Sequence, residues 1–141
     1  MRRALDSHYL TSFYGIVSQD GTFTYSNAGH NPPILVSASG VRRLETGGTP
    51  LGLFDFASFE QETLTLAPGD LIVSFSDGVT EALNQAGDEF TDPRLLASVD
   101  AHRSLSPQGL VDALLADVQA FTGGAAQSDD VTIVLVRFDG V

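Results

Sequence analysis

Ser76-Asp77-Gly78-Val79-Thr80-Glu81-Ala82 follows directly on a short apolar run, Leu71–Phe75. An apolar run bounded by turn signals reads as a strand buried on both faces. Asp77 and Gly78 stand where that strand should end, and helix formers come next, so the pattern is strand, acidic corner, helix. A carboxylate fixed at the mouth of a rigid strand can cap the helix or hold a cation. Position alone leaves both roles open, with the cap the commoner one.

The surrounding chain narrows the choice. Its 141 residues suit one domain, and 43% hydrophobic against 18% charged residues is the composition of a folded chain. Seven Lys and Arg face 18 Asp and Glu, a formal charge of −11. Such a surface repels phosphate backbones and concentrates divalent cations, so nucleic acid is excluded as a partner class. There are no cysteines, which removes disulfides, thiolate catalysis and Cys-based zinc sites and is compatible with a cytoplasmic setting. No stretch reads as a signal peptide or membrane span: the two N-terminal arginines precede no apolar core, and Gly21–Val41 is broken by Asn27, Asn31, Pro32 and Pro33.

Taken in order, Ala4, Leu5 and Tyr9 suit the last turns of a helix. Ser12–Ser18 and Thr22–Ser26 form a β-hairpin across Gln19-Asp20-Gly21. Asn27–Pro33 reads as a long bend, because its two prolines forbid regular ladder pairing. Ile34–Ser37 and Val41–Leu44 flank a second turn at Ala38-Ser39-Gly40. Gly47–Leu53 is Gly-rich and apolar at once, so it should be packed. Phe59–Leu66 is a less regular strand ending at Ala67-Pro68-Gly69-Asp70. After the acidic corner, Val79–Asn84 reads as a short helix at most, and Asp92-Pro93 as N-cap and first residue of a helix reaching about Ser98. Pro107–Phe121 is the clearest helix: Ser106 as N-cap, apolar residues from Leu110 to Phe121 at helical spacing, and Thr122-Gly123-Gly124 to end it. Val131–Phe138 is a last strand, apolar enough for burial on both faces. The sum is an α+β chain with mostly antiparallel sheets, expected as a layered sandwich with helices outside.

Two acidic corners carry the chemistry: Asp77 ends one buried strand, and Asp129-Asp130 begins another. If those strands are antiparallel neighbours, the carboxylates converge at one sheet edge. Hard cations such as Mg²⁺ and Mn²⁺ prefer oxygen ligands and keep several waters, and a metal-bound water is a nucleophile near neutral pH. Plain turn chemistry at Asp129-Asp130 is the competing reading. His30 reads as a loop hydrogen-bonder. No nucleophile elbow, zinc-protease helix, phosphate-binding loop or regular calcium loop is present.

Four blocks occur in a fixed order: Tyr25-Ser26-Asn27-Ala28-Gly29-His30-Asn31-Pro32-Pro33; Pro50-Leu51-Gly52-Leu53; Pro68-Gly69-Asp70 through Ser76–Ala82; and Gln127-Ser128-Asp129-Asp130-Val131-Thr132. Each is weak alone, but together they closely resemble the SpoIIE/RsbU-type branch of the metal-dependent (type 2C-like, PPM) protein serine/threonine phosphatases. The resemblance implies an α/β/β/α sandwich with two Mn²⁺ or Mg²⁺ ions at one edge of the paired sheets, and in-line attack of a metal-bridging water on a phosphoserine or phosphothreonine. By the same resemblance Asp77 and Asp129 are metal ligands, Asp130 stands behind them, and Gly78 lets the backbone turn away beside the ions. A phosphorylated STAS anti-anti-sigma protein is the implied substrate, in bacterial sigma-factor control.

One part of the family pattern is missing. The upstream Asp-x-x-Gly-His-Gly motif, which supplies the first metal ligand in relatives, does not occur in these 141 residues. Residues 1–141 are therefore expected to be the C-terminal portion of a phosphatase domain, incomplete at its N-terminus. The alternative is a catalytically inactive, shortened relative that binds a phosphoprotein or a partner domain. A structural or interaction module unrelated to phosphatases is a third reading. Uncovered strand edges would favour self-association.

Overall fold

A computed structural model describes residues 8–127 and 129–141. Of the helix expected at Ala4, Leu5 and Tyr9, the first two residues lie outside them, as does Ser128, and Tyr9 is not helical. Strands β1 (Ser12–Val17) and β2 (Thr22–Ala28) form the expected antiparallel hairpin, with Ser12 opposite Ala28 and Val17 opposite Phe23. Its turn works as the sequence dictates. Gly21 takes φ 87°, a left-handed value that glycine adopts without steric cost, and Asp20 accepts the Thr22 amide at 2.9 Å. β2 runs two residues past the predicted end, through Asn27 and Ala28, so the bend begins only at Gly29.

The chain then forms β3 (Ile34–Ser37), β4 (Gly40–Arg43), the two-residue β5 (Gly47–Gly48) and β6 (Glu62–Thr65). β3 and β4 pair antiparallel, β6 lies antiparallel on β2, and β5 runs parallel to β2. That parallel bridge is why the Gly47-Gly48 stretch is packed: a Cβ on Gly47 would stand 1.8 Å from the Asn27 carbonyl oxygen. Farther on, the Leu51 main chain still bridges Leu10, but the side chains of Leu51 and Leu53 are exposed. Phe13, Tyr25 and Phe23 stack along β1 and β2, and Tyr25, Phe23, Ile34 and Leu44 are buried.

The second compact unit, residues 72–137, carries α1 (Asp77–Thr80), α2 (Thr91–His102), α3 (Pro107–Thr122) and β8 (Ile133–Arg137), with most of β7 (Leu71–Phe75). β7 is buried nearly throughout, as predicted. β7 and β8 are hydrogen-bonded neighbours. The Ser76 amide donates to the Thr132 carbonyl at 3.0 Å and the Phe138 amide to the Asp70 carbonyl at 3.0 Å, so the two strands run antiparallel. α3 packs on α2 and on β8 and buries Leu110, Leu114 and Val118, and its ends follow the sequence rules. Ser106 accepts the Gly109 amide at 3.2 Å, Pro107 occupies the first turn, and Gly123 closes the helix at φ 57°.

Three expectations need correcting. α1 begins at Asp77, ahead of the predicted Val79, and ends at Thr80. α2 spans Thr91–His102 without a side-chain cap, so Asp92 is not its N-cap. Arg94, in its first turn, donates to the carbonyls of Glu89 and Phe90 at 3.1 and 3.3 Å, which ties the helix to the residues before it but caps none of its N–H groups. β8 is not buried on both faces: Val134 and Val136 point outward at 55% and 43% exposure, alternating with more enclosed neighbours. The α+β class with mostly antiparallel pairing stands.

Candidate metal centre

The two acidic corners meet. Asp77 follows the last residue of β7 and its capping position, and Asp129-Asp130 precedes β8, the strand hydrogen-bonded beside it. Ser76 ties the corners with both sides of its hydroxyl. Its Oγ donates to the Asp130 carbonyl at 2.8 Å and accepts the Thr132 amide at 2.9 Å. With its hydroxyl so used, Ser76 makes no side-chain cap on α1 although it occupies the N-cap position.

Gly78 seals the contact. An ideal Cβ there would lie 2.3 Å from the Asp130 carbonyl oxygen and 3.2 Å from that of Asp129. Backbone lies on backbone, which only glycine permits. The main chain of the Asp77 corner thus rests directly on that of the Asp129-Asp130 corner.

The Asp77 carboxylate, on an exposed first-turn residue of α1, caps no helix. Its main-chain carbonyl accepts the Glu81 amide at 2.8 Å, leaving the side chain out of the helical bonding. Asp129 is braced: its Oδ1 accepts the Asp130 amide at 2.7 Å, and its carbonyl accepts Gln127 Nε2 at 2.8 Å. Asp130 is exposed and contributes its carbonyl to the Ser76 link. The donors gathered here are all hard oxygens, the chemistry of Mg²⁺ and Mn²⁺ sites, and an ion of the Mg²⁺ type takes one or two carboxylates while keeping waters. The chemistry of these donors, though not their number, suits such an ion. Among the described residues no group of three or more His, Cys, Asp or Glu is placed to hold a metal.

The sequence reading singled out Asp77 and Asp129 and gave no role to Ser76, whose partner lies 54 residues away. It also missed Asn27. That side chain is buried, donates to the carbonyls of His30 and Leu44 at 3.0 and 3.2 Å, and accepts the His30 amide at 2.8 Å. Gly29, at φ 68°, leaves no room for a Cβ against Pro50. The first motif block and the Gly47–Pro50 stretch are therefore structural mates built around Asn27. His30 is a hydrogen-bonded loop residue, its Nδ1 3.3 Å from the Thr11 hydroxyl.

Comparison with known proteins gives this geometry its context. Residues 1–139 match the family described as Stage II sporulation protein E (SpoIIE). Phosphoserine phosphatase RsbU of Bacillus subtilis is 35% identical over 142 residues, covering 93% of this chain and 39% of RsbU. The phosphatase domain of the cell-fate determinant SpoIIE from B. subtilis, solved after a manganese presoak, superposes with a TM-score of 0.64. It is 23% identical, over 92% of this chain and 56% of that one. The RsbU and RsbW domains of Rv1364c from Mycobacterium tuberculosis superpose with a TM-score of 0.63 at 27% identity, over 93% of this chain and 37% of theirs. The chain spans 16% to 39% of the length of three curated relatives that it matches. With a family match across nearly its whole length and the fold of the solved phosphatase domains, this chain belongs to the SpoIIE family.

Proposed function

We propose that residues 1–141 form the C-terminal portion of a metal-dependent protein serine/threonine phosphatase, with Asp77 and Asp129 as ligands of Mn²⁺ or Mg²⁺. One observation carries the reading: Ser76 and Gly78 lock the main chain of the Asp77 corner onto that of the Asp129-Asp130 corner, two acidic corners far apart in sequence. A divalent cation held there supplies charge stabilisation at a phosphoryl group and an acidified water. The chain's own residues do the positioning. Gly78 gives the close backbone approach, the Asp130 amide orients the Asp129 carboxylate, and Ser76 fixes the register of both corners.

The substrate is a phosphoserine or phosphothreonine protein, with a STAS anti-anti-sigma factor as the specific candidate, in partner-switching control of a sigma factor in the cytoplasm. The phosphoserine phosphatase activity of RsbU and the presence of RsbU and RsbW domains together in Rv1364c support that class. The reading involves neither nucleic acid nor membrane; among the described residues no helix is long and apolar enough to cross a bilayer.

Calorimetric titration of Mn²⁺ into wild type, Asp77→Asn and Asp129→Asn tests it. Loss of a residue that merely supports a ligand costs about 10–100-fold in metal affinity, so loss of a ligand should cost at least about tenfold. Equal binding by all three proteins would overturn the assignment. A second reading, a partner-binding relative without turnover, is favoured by the shortage of a third side-chain ligand among the described residues. It is recognised by phosphoprotein binding with no Mn²⁺-dependent hydrolysis of para-nitrophenyl phosphate.

A further inference from the structure

Beside the acidic corner the second unit holds a half-enclosed pocket of about 250 Å³. It shares Gly78 with one corner, and it shares Gln127, whose amide donates to the Asp129 carbonyl, with the other. Leu115 and Val118 of α3, Leu83 and Val131 line it, while Ala82, Ala125 and Ala126 leave the space. Gly123 turns the chain at the end of α3, and the Ala125 amide returns to the Thr122 carbonyl at 3.0 Å, so the alanines cross the helix end at close range. Gln85 Nε2 donates to the Gly123 carbonyl at 2.6 Å and fixes the segment after α1 against that end. The pocket is thus framed by hydrogen bonds on two sides.

Among the described residues its lining carries no charge, in a chain of net charge −11. An acidic surface disfavours acidic flanks on an approaching phosphopeptide, and the neutral hollow beside the corner, aliphatic at Leu83, Leu115, Val118 and Val131 and polar at Gln119 and Thr122, rewards an apolar one. The volume lies below the roughly 300–1,000 Å³ of sites for whole drug-sized ligands and suits a single side chain. We propose that this pocket is a specificity site of the phosphatase, taking one leucine-sized apolar side chain of the phosphoprotein near its phosphorylated residue. The assignment rests on the phosphatase reading for the identity of the ligand. The pocket itself belongs to the same compact unit as the corner.

The test uses the full chain without metal, so that no peptide is turned over, and follows its methyl groups by NMR. Phosphoserine peptides carrying a single leucine at each of the three positions on either side are compared with an all-alanine peptide. At one position leucine should shift the methyl signals of Leu83, Leu115, Val118 and Val131 and tighten binding at least about tenfold. Ala126→Leu, at an exposed rim position, should fill the pocket and return that peptide to the alanine level. Binding that ignores leucine at all six positions, or a leucine preference untouched in a folded Ala126→Leu protein, would overturn the proposal. Hydrolysis of para-nitrophenyl phosphate with Mn²⁺ is scored separately. Leucine-dependent shifts without hydrolysis would leave the pocket standing and favour the partner-binding reading over turnover.

Discussion

Gly78 shows how one residue's chemistry can be set by a chain segment it never neighbours in sequence. A methyl group at this position must displace the Asp130 carbonyl, which is main chain and cannot rotate aside. Gly78→Ala should therefore cost about 1–3 kcal/mol, as overpacking does, and weaken Mn²⁺ binding as well; denaturant unfolding and metal titration read the two effects. Glu62 offers a pH test. Its carboxylate accepts the Tyr25 hydroxyl at 2.5 Å, the Arg42 guanidinium, and the Thr46 hydroxyl at 3.0 Å. Those bonds, the Tyr25 one first, hold it below the ordinary value of 4.5. A carboxylate lowered by folding binds fewer protons in the native state. Its stabilisation is complete above about pH 4.5 and is lost as the pH falls through the lowered value. The Glu62→Gln protein should show a flatter melting temperature below pH 4.5 than wild type, with the curves separated by a constant gap above it. At this scale the sequence displayed Asp77 and Asp129 because Asp-Gly and Asp-Asp corners stand out locally. Ser76 and Asn27 stayed hidden because a hydroxyl or amide declares its partner only once the fold brings it near.

Among the elements, α3 was legible from end to end, since cap, first-turn proline, apolar spacing and terminal glycine all agree. Ser106→Ala should cost about 1 kcal/mol, the usual worth of an N-cap, and Leu114→Ala, fully buried, about 2–5 kcal/mol; both are measured by chemical denaturation. The start of α2 was not legible. Asp92-Pro93 has the composition of a cap, but the helical hydrogen bonding already includes Thr91, whose φ of 67° marks a sharp turn into it, and Arg94 bonds to carbonyls that precede it. For β8 the apolar content is real and the inference from it too strong. Val134 and Val136 look inward or outward according to what covers the sheet, and no local pattern encodes that.

Over the whole molecule the governing quantity is the charge of −11. Attraction of a divalent cation to that field is screened within about 8 Å at physiological salt. Mn²⁺ affinity should therefore fall as sodium chloride rises from low to physiological concentration, a trend calorimetry follows directly. The apolar side chains that remain outside are the second global property. Tyr14, Ile16 and Val17 are exposed along β1, an end strand of the path β1-β2-β5. Edges of this kind recruit further strands, so the chain should self-associate in light scattering, and Tyr14→Lys with Ile16→Lys should reduce it. Class, hairpins and corners came from short-range patterns; the pairing of β5 with β2 and the meeting of the corners came from contacts that bridge long stretches of chain.

The Ser76 link also sets a clock. Its amide and its hydroxyl both close on Thr132, so the acidic corner cannot swing open as a loop does, in nanoseconds to microseconds, without unzipping the ladder of β7 and β8. Hydrogen exchange at the amides of Ser76 and Thr132 should thus be as slow as in the strands themselves. An ion seated there would leave at the pace of its own ligand exchange, with the protein holding still around it.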